Sequence, residues 1–203
     1  MFRRNFISGL AASALGFAVA PAWGAGEEPP PAPQPQTEGG QPGDTYTEEE
    51  IVNTATDFFG ITTEAVAKVV QRVFKDLGQP NAYIKGDEGS AAFVLGLRYG
   101  SGWLMRKGIA PKKIYWRGPS VGVDVGGNAS KVFTLVYSLN DDKQLYRRFP
   151  GVEGSYYFVA GIGVLYMRKN GITVAPMRTG VGLRAGINAQ YQEFSESRDW
   201  FPF

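Results

Sequence analysis

The spacing of apolar side chains along the chain changes once, and that change divides it into helical and strand-like parts. In "TEEEIVNTATDFFG", Ile51, Ala55 and Phe58 recur at near-helical intervals, and Thr47 with Glu50 three residues on forms a capping-box pattern. In "TTEAVAKVVQRVFKDLG", Val66, Val69, Val70, Val73, Phe74 and Leu77 fall on one stripe, with Lys68, Arg72, Lys75 and Asp76 largely outside it. Gly78 followed by Pro80 ends the segment as a helix ends. The stripe predicts docking onto the protein's own core rather than insertion into a membrane.

After residue 90 the period becomes 2. Phe93, Leu95, Leu97 and Tyr99 alternate with Val94, Gly96 and Arg98, and Val121, Val123 and Val125 alternate with Gly122, Asp124 and Gly126. Phe133, Leu135 and Tyr137 follow, then Val181, Leu183, Ala185 and Ile187. Many short strands with turns between them predict a mainly β protein with N-terminal helices (α+β). Its sheet is expected to form a small antiparallel β-barrel, closed or conical. "NDDKQLYRRFPG" is expected to hold one short helix before Pro150.

The strand region repeats itself. "GSGWLMRKG" (100–108) is echoed by "GIGVLYMRKNG" (161–171), pairing Gly100 with Gly161 and Gly102 with Gly163. "VGVDVGGNAS" (121–130) is echoed by "VGLRAGINAQ" (181–190), matching Val121/Val181, Gly122/Gly182, Gly126/Gly186, Asn128/Asn188 and Ala129/Ala189. Two blocks in the same order at nearly the same offset read as a duplicated Gly-rich β-unit. Glycine at alternate positions suits strands that coil tightly or lie against another backbone. A phosphate loop does not fit, because "GVGLRAG" has the wrong glycine spacing and is followed by strand-like sequence.

The chain's beginning has other chemistry. Arg3 and Arg4 precede an apolar run from Phe6 to Ala20, and Ala22-Trp23-Gly24 suits a cleavage site near residues 22–25. Residues 1–24 are therefore expected to be a signal peptide, of Sec or twin-arginine type, and the protein to be exported to the periplasm. Residues 25–44 are a Pro-rich linker with too few apolar side chains to fold. Residues 45–203 are expected to form one domain: helices over 45–78, barrel over 90–195 and an aromatic tail over 196–203.

Composition removes whole classes of chemistry. With no histidine and no cysteine in 203 residues, there is no imidazole or thiolate metal ligand, no Ser-His-Asp triad and no disulfide. Asp141-Asp142 and Glu48-Glu49-Glu50 read as turn and helix-start charges, and Arg178-Thr179-Gly180 lacks the Ser-x-x-Lys that a penicillin-binding site requires. No catalysis and no cofactor are expected.

Charge is segregated. Every charge between residues 25 and 64 is acidic, whereas from Arg98 to Arg184 basic residues outnumber acidic ones. Arg106-Lys107 and Arg168-Lys169 occupy equivalent turns, with Lys112 and Lys113 after the first. These six form a candidate patch for anionic groups, the alternative being ordinary solvated turns. Each basic side chain near an anionic bilayer contributes about 1 kcal/mol, so four give roughly millimolar affinity and need an apolar supplement. Trp103, Trp116 and Trp200 are the candidates for it.

The stretches "TATDFFGITTEAVAKVVQRVFKDLGQPNAYIKGDEGSAAF", "LRYGSGWLMRKG" and "IYWRGPSVGVDVGGNASKVFTLVY" resemble the EipA family, the envelope integrity protein A group of exported proteins of Gram-negative bacteria. The resemblance runs from about Thr45 to Phe203. It implies a periplasmic domain with a small conical β-barrel and accompanying helices, and a role in envelope integrity and stress resistance without an assigned enzymatic activity. No binding residues carry over. A more distant similarity, over roughly residues 90 to 195, is to the SYLF lipid-binding domain, through "GSGWL…GPSVGVDVGGNASKVFTLV". It implies binding of acidic lipids. The expectations are thus a periplasmic envelope protein acting by binding, a lipid-surface module of SYLF type, or a small outer-membrane-associated barrel. The partner is an acidic lipid, lipopolysaccharide or a periplasmic protein; no nucleic acid is expected.

Overall fold

Helix α1 (Glu48–Phe59) begins at the capping box: Thr47 Oγ1 accepts from the Glu50 backbone N–H at 3.2 Å, and the Thr47 N–H donates to Glu50 Oε2 at 2.7 Å. It ends at Gly60 in the left-handed region, φ +68°. Helix α2 (Thr63–Leu77) buries Val66, Val69, Val70 and Val73, each worth about 1.5–3 kcal/mol of burial. The computed structural model describes residues 44–91, 97–119, 130–179 and 191–198, all within the compact unit Ala32–Phe203. The expected leader, most of the linker, the 121–129 and 181–190 blocks of the repeat and Trp200 lie outside the described residues.

Among the described residues ten strands follow: β1 (Ala82–Ala91), β2 (Leu97–Arg106), β3 (Ile109–Pro119), β4 (Ser130–Tyr137), β5 (Arg148–Pro150), β6 (Tyr157–Val159), β7 (Ile162–Val164), β8 (Met167–Lys169), β9 (Ile172–Thr179) and β10 (Tyr191–Ser195). A 3-10 turn, Asp142–Leu145, occupies the place where a short helix was expected. The sheet is antiparallel in the order β5-β10-β3-β2-β1-β4-β9-β7-β6, with β8 also on β9. β7 pairs with residues 177–179 of β9 and β8 with residues 172–174. Pro176, which has no N–H to donate, sits at the break between them. The sheet curls until Gly151, just past β5, bridges to Met167 of β8, and Val152 N–H donates to the Tyr166 carbonyl at 2.8 Å. The expected mainly β barrel with N-terminal helices is the fold observed.

Both faces of the sheet are used. Val132 and Val136 of β4 point inward with Ile84, Leu104, Ile114, Trp116, Phe149, Val174 and Phe194. Phe133, Leu135 and Tyr137 point outward, where α1 and α2 cover them together with Tyr83, Ala175 and Met177. Tyr166 donates its hydroxyl to Asp76 of α2 at 2.8 Å and ties the helices to the barrel.

Two expectations are corrected. The barrel begins at Ala82, not residue 90, because β1 carries Lys85, Asp87 and Glu88 among its apolar positions and shows no clean alternation. In β2 the inward residues are Arg98, Gly100, Gly102 and Leu104, so Arg98 lies inside while Tyr99 and Trp103 face out. Glycine serves close approach, as expected. A Cβ on Gly86 or Gly102, which pair across β1 and β2, would overlap the opposite backbone.

Candidate functional site

The two basic turns lie on one rim of the barrel, where β1 begins and β4 ends: Tyr83 pairs with Met105 and Leu135, and Tyr137 with Thr173. Most of their charge is already engaged. Arg106 Nη1 reaches Asp142 Oδ1 at 3.0 Å, and its Nη2 donates to the Leu139 and Asn140 carbonyls at 3.3 Å each. Lys107 stands 3.1 Å from the Glu50 carboxylate and over the Tyr46 ring. The Thr47 N–H first, then Lys107, hold the Glu50 carboxyl below its ordinary range. Lys112 pairs with Glu196 at 3.1 Å and Arg168 donates to Thr173 Oγ1 at 3.0 Å. Lys113 covers the ring of Trp103, and Lys169 is exposed. The six candidates therefore do not form one open patch. Arg106 is a latch on the 139–142 loop.

The tryptophans separate too. Trp103 is 46 % exposed beside the turn, with Ile109 at 49 %. Trp116 is 3 % exposed and lies inside the barrel, so it is no apolar surface contact.

On the outer face of β1, β2, β3 and β10, away from the helices, a groove of about 150 Å³ runs between Asp87, Tyr99, Ser101, Tyr115, Arg117 and Arg198. The Arg198 guanidinium lies 5.7 Å from the Tyr115 ring centroid. Arg117 Nη2 pairs with Glu193 at 3.1 Å, and Arg148 reaches the same carboxylate at 3.2 Å. Partial burial would raise the Glu193 carboxyl, but the two guanidinium groups outweigh it and hold the group below its usual range. Aromatic faces beside fixed charges of both signs make a polar, orienting surface.

A second group of charges is buried inside. Arg178 Nε donates to Glu88 Oε1 at 3.1 Å and its Nη2 to Oε2 at 3.4 Å, a side-on bidentate pair. Trp116 Nε1 donates to Glu88 Oε2 at 2.8 Å, and the Arg178 Nη2 also donates to Gln192 Oε1. These residues sit on β9, β1, β3 and β10, so they meet across the barrel rather than along it. Arg98 Nε approaches Glu88 Oε2 at 3.7 Å. Burial pushes the Glu88 carboxyl up, yet Arg178 and Arg98 prevail and hold it below its ordinary value. Arg98 itself is lowered to about 10 by burial and by the like charge of Arg178. Sequence reading missed this cluster. Its signal was parity: Arg98 shares a face with Gly100, Gly102 and Leu104, and Trp116 with Ile114. Among the described residues no three His, Cys, Asp or Glu side chains come together as metal ligands would.

Comparison with known proteins gives one family and one fold. A sequence profile described as EipA, envelope integrity protein A, matches residues 44–203. A crystal structure described as a beta-barrel-like, uncharacterized protein from Brucella abortus is similar at 45 % identity and a TM-score of 0.73, covering 79 % of this chain and 99 % of that one. No curated protein matches the chain. A curled antiparallel sheet behind two helices, with a family profile spanning all of it, places this chain in the EipA family of envelope integrity proteins.

Proposed function

We propose that the protein supports envelope integrity from the periplasm as a binding protein without catalysis, and that its contact surface is the outer groove of β1, β2, β3 and β10. The observation that carries this reading is the groove itself. Tyr99 and Tyr115 present aromatic faces, Arg198 and Arg117 a cationic side, and Asp87 an anionic one, around about 150 Å³ on a rigid sheet. Such a set orients a polar or anionic envelope component by stacking and charged hydrogen bonds. Among the described residues Asp87 is the one carboxylate that lines it, a set that orients a ligand by charge.

The test is complementation. In a strain lacking the gene, the wild-type chain restores growth on a membrane-active detergent. A Tyr99→Ser/Tyr115→Ser double variant is expected to fold, by circular dichroism and Tm, yet to leave growth impaired. Full rescue by that variant overturns the groove as the contact surface.

A second reading, contact with an acidic lipid surface, is favoured by the exposed Trp103 and Ile109 beside Lys113. With Arg106 and Lys107 engaged, Lys113 and Lys169 add only about 2 kcal/mol, so the apolar pair must supply most of the affinity. Cosedimentation with phosphatidylglycerol vesicles should then fall on Trp103→Ser more than on Lys169→Ser. No sedimentation of the wild type removes this reading. Spanning the outer membrane is not proposed: the outer face of the described strands carries Lys85, Asp87, Lys113, Arg117 and Glu193 where a lipid-facing band needs apolar residues.

A further inference from the structure

The buried cluster contains more cationic donors than it uses. Glu88 neutralises one guanidinium, and Arg178 takes both of its oxygens through the Nε/Nη2 edge. On Arg98, whose side chain is 13 % exposed, that same edge has no hydrogen-bond partner at either Nε or Nη2. Gln192 is 0 % exposed and its Nε2 is likewise unpartnered. Its orientation is dictated: Oε1 must face the Arg178 donor, so the amide N–H groups point elsewhere. The Arg98 edge lies over Gly118, where a Cβ would stand 3.5 Å from Nε and 3.6 Å from Nη2 and would overlap the Tyr191 carbonyl. The edge is buried yet without a hydrogen-bond partner, and Gly118 places no side chain against it, next to the backbone that carries Gln192.

Buried donors of this kind are rare, because a donor taken out of water without an acceptor gains nothing in return for its lost hydration. A second carboxylate would be the ordinary solution, but the described interior supplies only Glu88. We propose that the barrel interior is a binding site for a small oxyanion, a carboxylate or phosphate group, seated on the Nε/Nη2 edge of Arg98 with Gln192 Nε2 as a further donor. Among the described residues, two guanidinium groups against one carboxylate leave one positive charge for it to neutralise. Burial first, and then the like charge of Arg178, lower the proton affinity of Arg98. The side-on edge of arginine matches two oxygens of such a group, which a lysine ammonium does not. The Arg98 and Gln192 donors are not among the residues that line the outer groove, and the inference does not rest on it.

The experiment is titration of the full mature chain with sodium phosphate, and separately with sodium acetate, at ionic strength held constant with sodium chloride. It is read by Tm and by the Arg98 side-chain Nε–H resonance in arginine-labelled protein. Expected are a saturable rise in Tm and a saturable shift of that resonance with one or both oxyanions, and neither with chloride alone. Phosphate acting alone points to a phosphoryl ligand, and acetate acting alone to a carboxylate. Arg98→Lys keeps the charge but loses the fork, and should weaken the midpoint at least about tenfold, the worth of one charge-assisted hydrogen bond. Arg98→Met should fold, since an apolar side chain replaces a buried cation whose Nε and Nη2 lack hydrogen-bond partners, and should lose the response altogether. An Arg98 resonance that stays fixed through the oxyanion series, an equal effect of chloride, or a full response in Arg98→Met each overturns the proposal.

Discussion

Gly100 and Trp116 face each other across β2 and β3, and the indole ring lies where a side chain on Gly100 would have to be. That placement is what lets Trp116 Nε1 reach Glu88. Gly100→Ala should therefore displace the ring and loosen the interior cluster, at a cost of about 1–3 kcal/mol. Thermal unfolding should register it as several degrees of Tm, with a change in tryptophan fluorescence.

Glu88 is the only described carboxylate between two buried guanidinium groups, and removing it strands both. Glu88→Gln should destabilise by about 3–5 kcal/mol. The sign of the pH effect follows from the lowered carboxyl. Its stabilisation is complete above the unfolded glutamate value of about 4.3 and drains away as pH falls through the lower folded value. Urea unfolding between neutral and acid pH should show that acid-side loss in the wild type and a shallower one in the variant. Equal slopes would remove Glu88 from the account.

How much of this was legible in the chain depends on what reported it. Thr47 and Glu50 announced α1 because a capping box is a contact between residues three apart, and the valine stripe announced α2 for the same local reason. β1 was not visible, since its outward Tyr83 is covered by helices while its inward Glu88 is charged, reversing the rule that alternation relies on. The partners that make Glu88 tolerable include Arg178, 90 residues away, and Trp116, 28 away. No window along the sequence contains them. Of the basic residues, Arg106 ends β2 and Arg168 and Lys169 lie in β8, and the carboxylates that occupy Arg106 and Lys107, Asp142 and Glu50, come from the turn after β4 and from α1.

Those basic residues give a paired prediction. Arg106→Ala breaks an ion pair and bonds to two carbonyls, and should cost about 1–3 kcal/mol. Lys169→Ser, at the exposed end of β8, should change stability by no more than about 0.5 kcal/mol. Chemical denaturation of the two variants side by side distinguishes a latch from a surface charge.

The helices are held by packing and by long-range polar contacts: Lys107 to Glu50, Lys131 to the Phe58 carbonyl, and the Tyr166 hydroxyl to Asp76. Tyr166→Phe deletes the hydroxyl shared by Asp76 and Tyr157 without disturbing the ring, and should cost about 1 kcal/mol. Amide exchange in α2 should quicken more than in β1 or β4. Uniform quickening would mean that Tyr166 supports the whole domain rather than the helix dock.

Neighbouring strands elsewhere in the ladder share runs of paired residues, but the junction of Gly151 with Met167 has a single bridge, with the Val152 bond and the Ser155 hydroxyl on Tyr166 beside it. A hoop fastened by one rivet sets its girth at the rivet. Parting there would leave every other pairing intact and enlarge the lumen, so the least costly way of exposing the buried arginines to bulk water runs through the seam between β5 and β8.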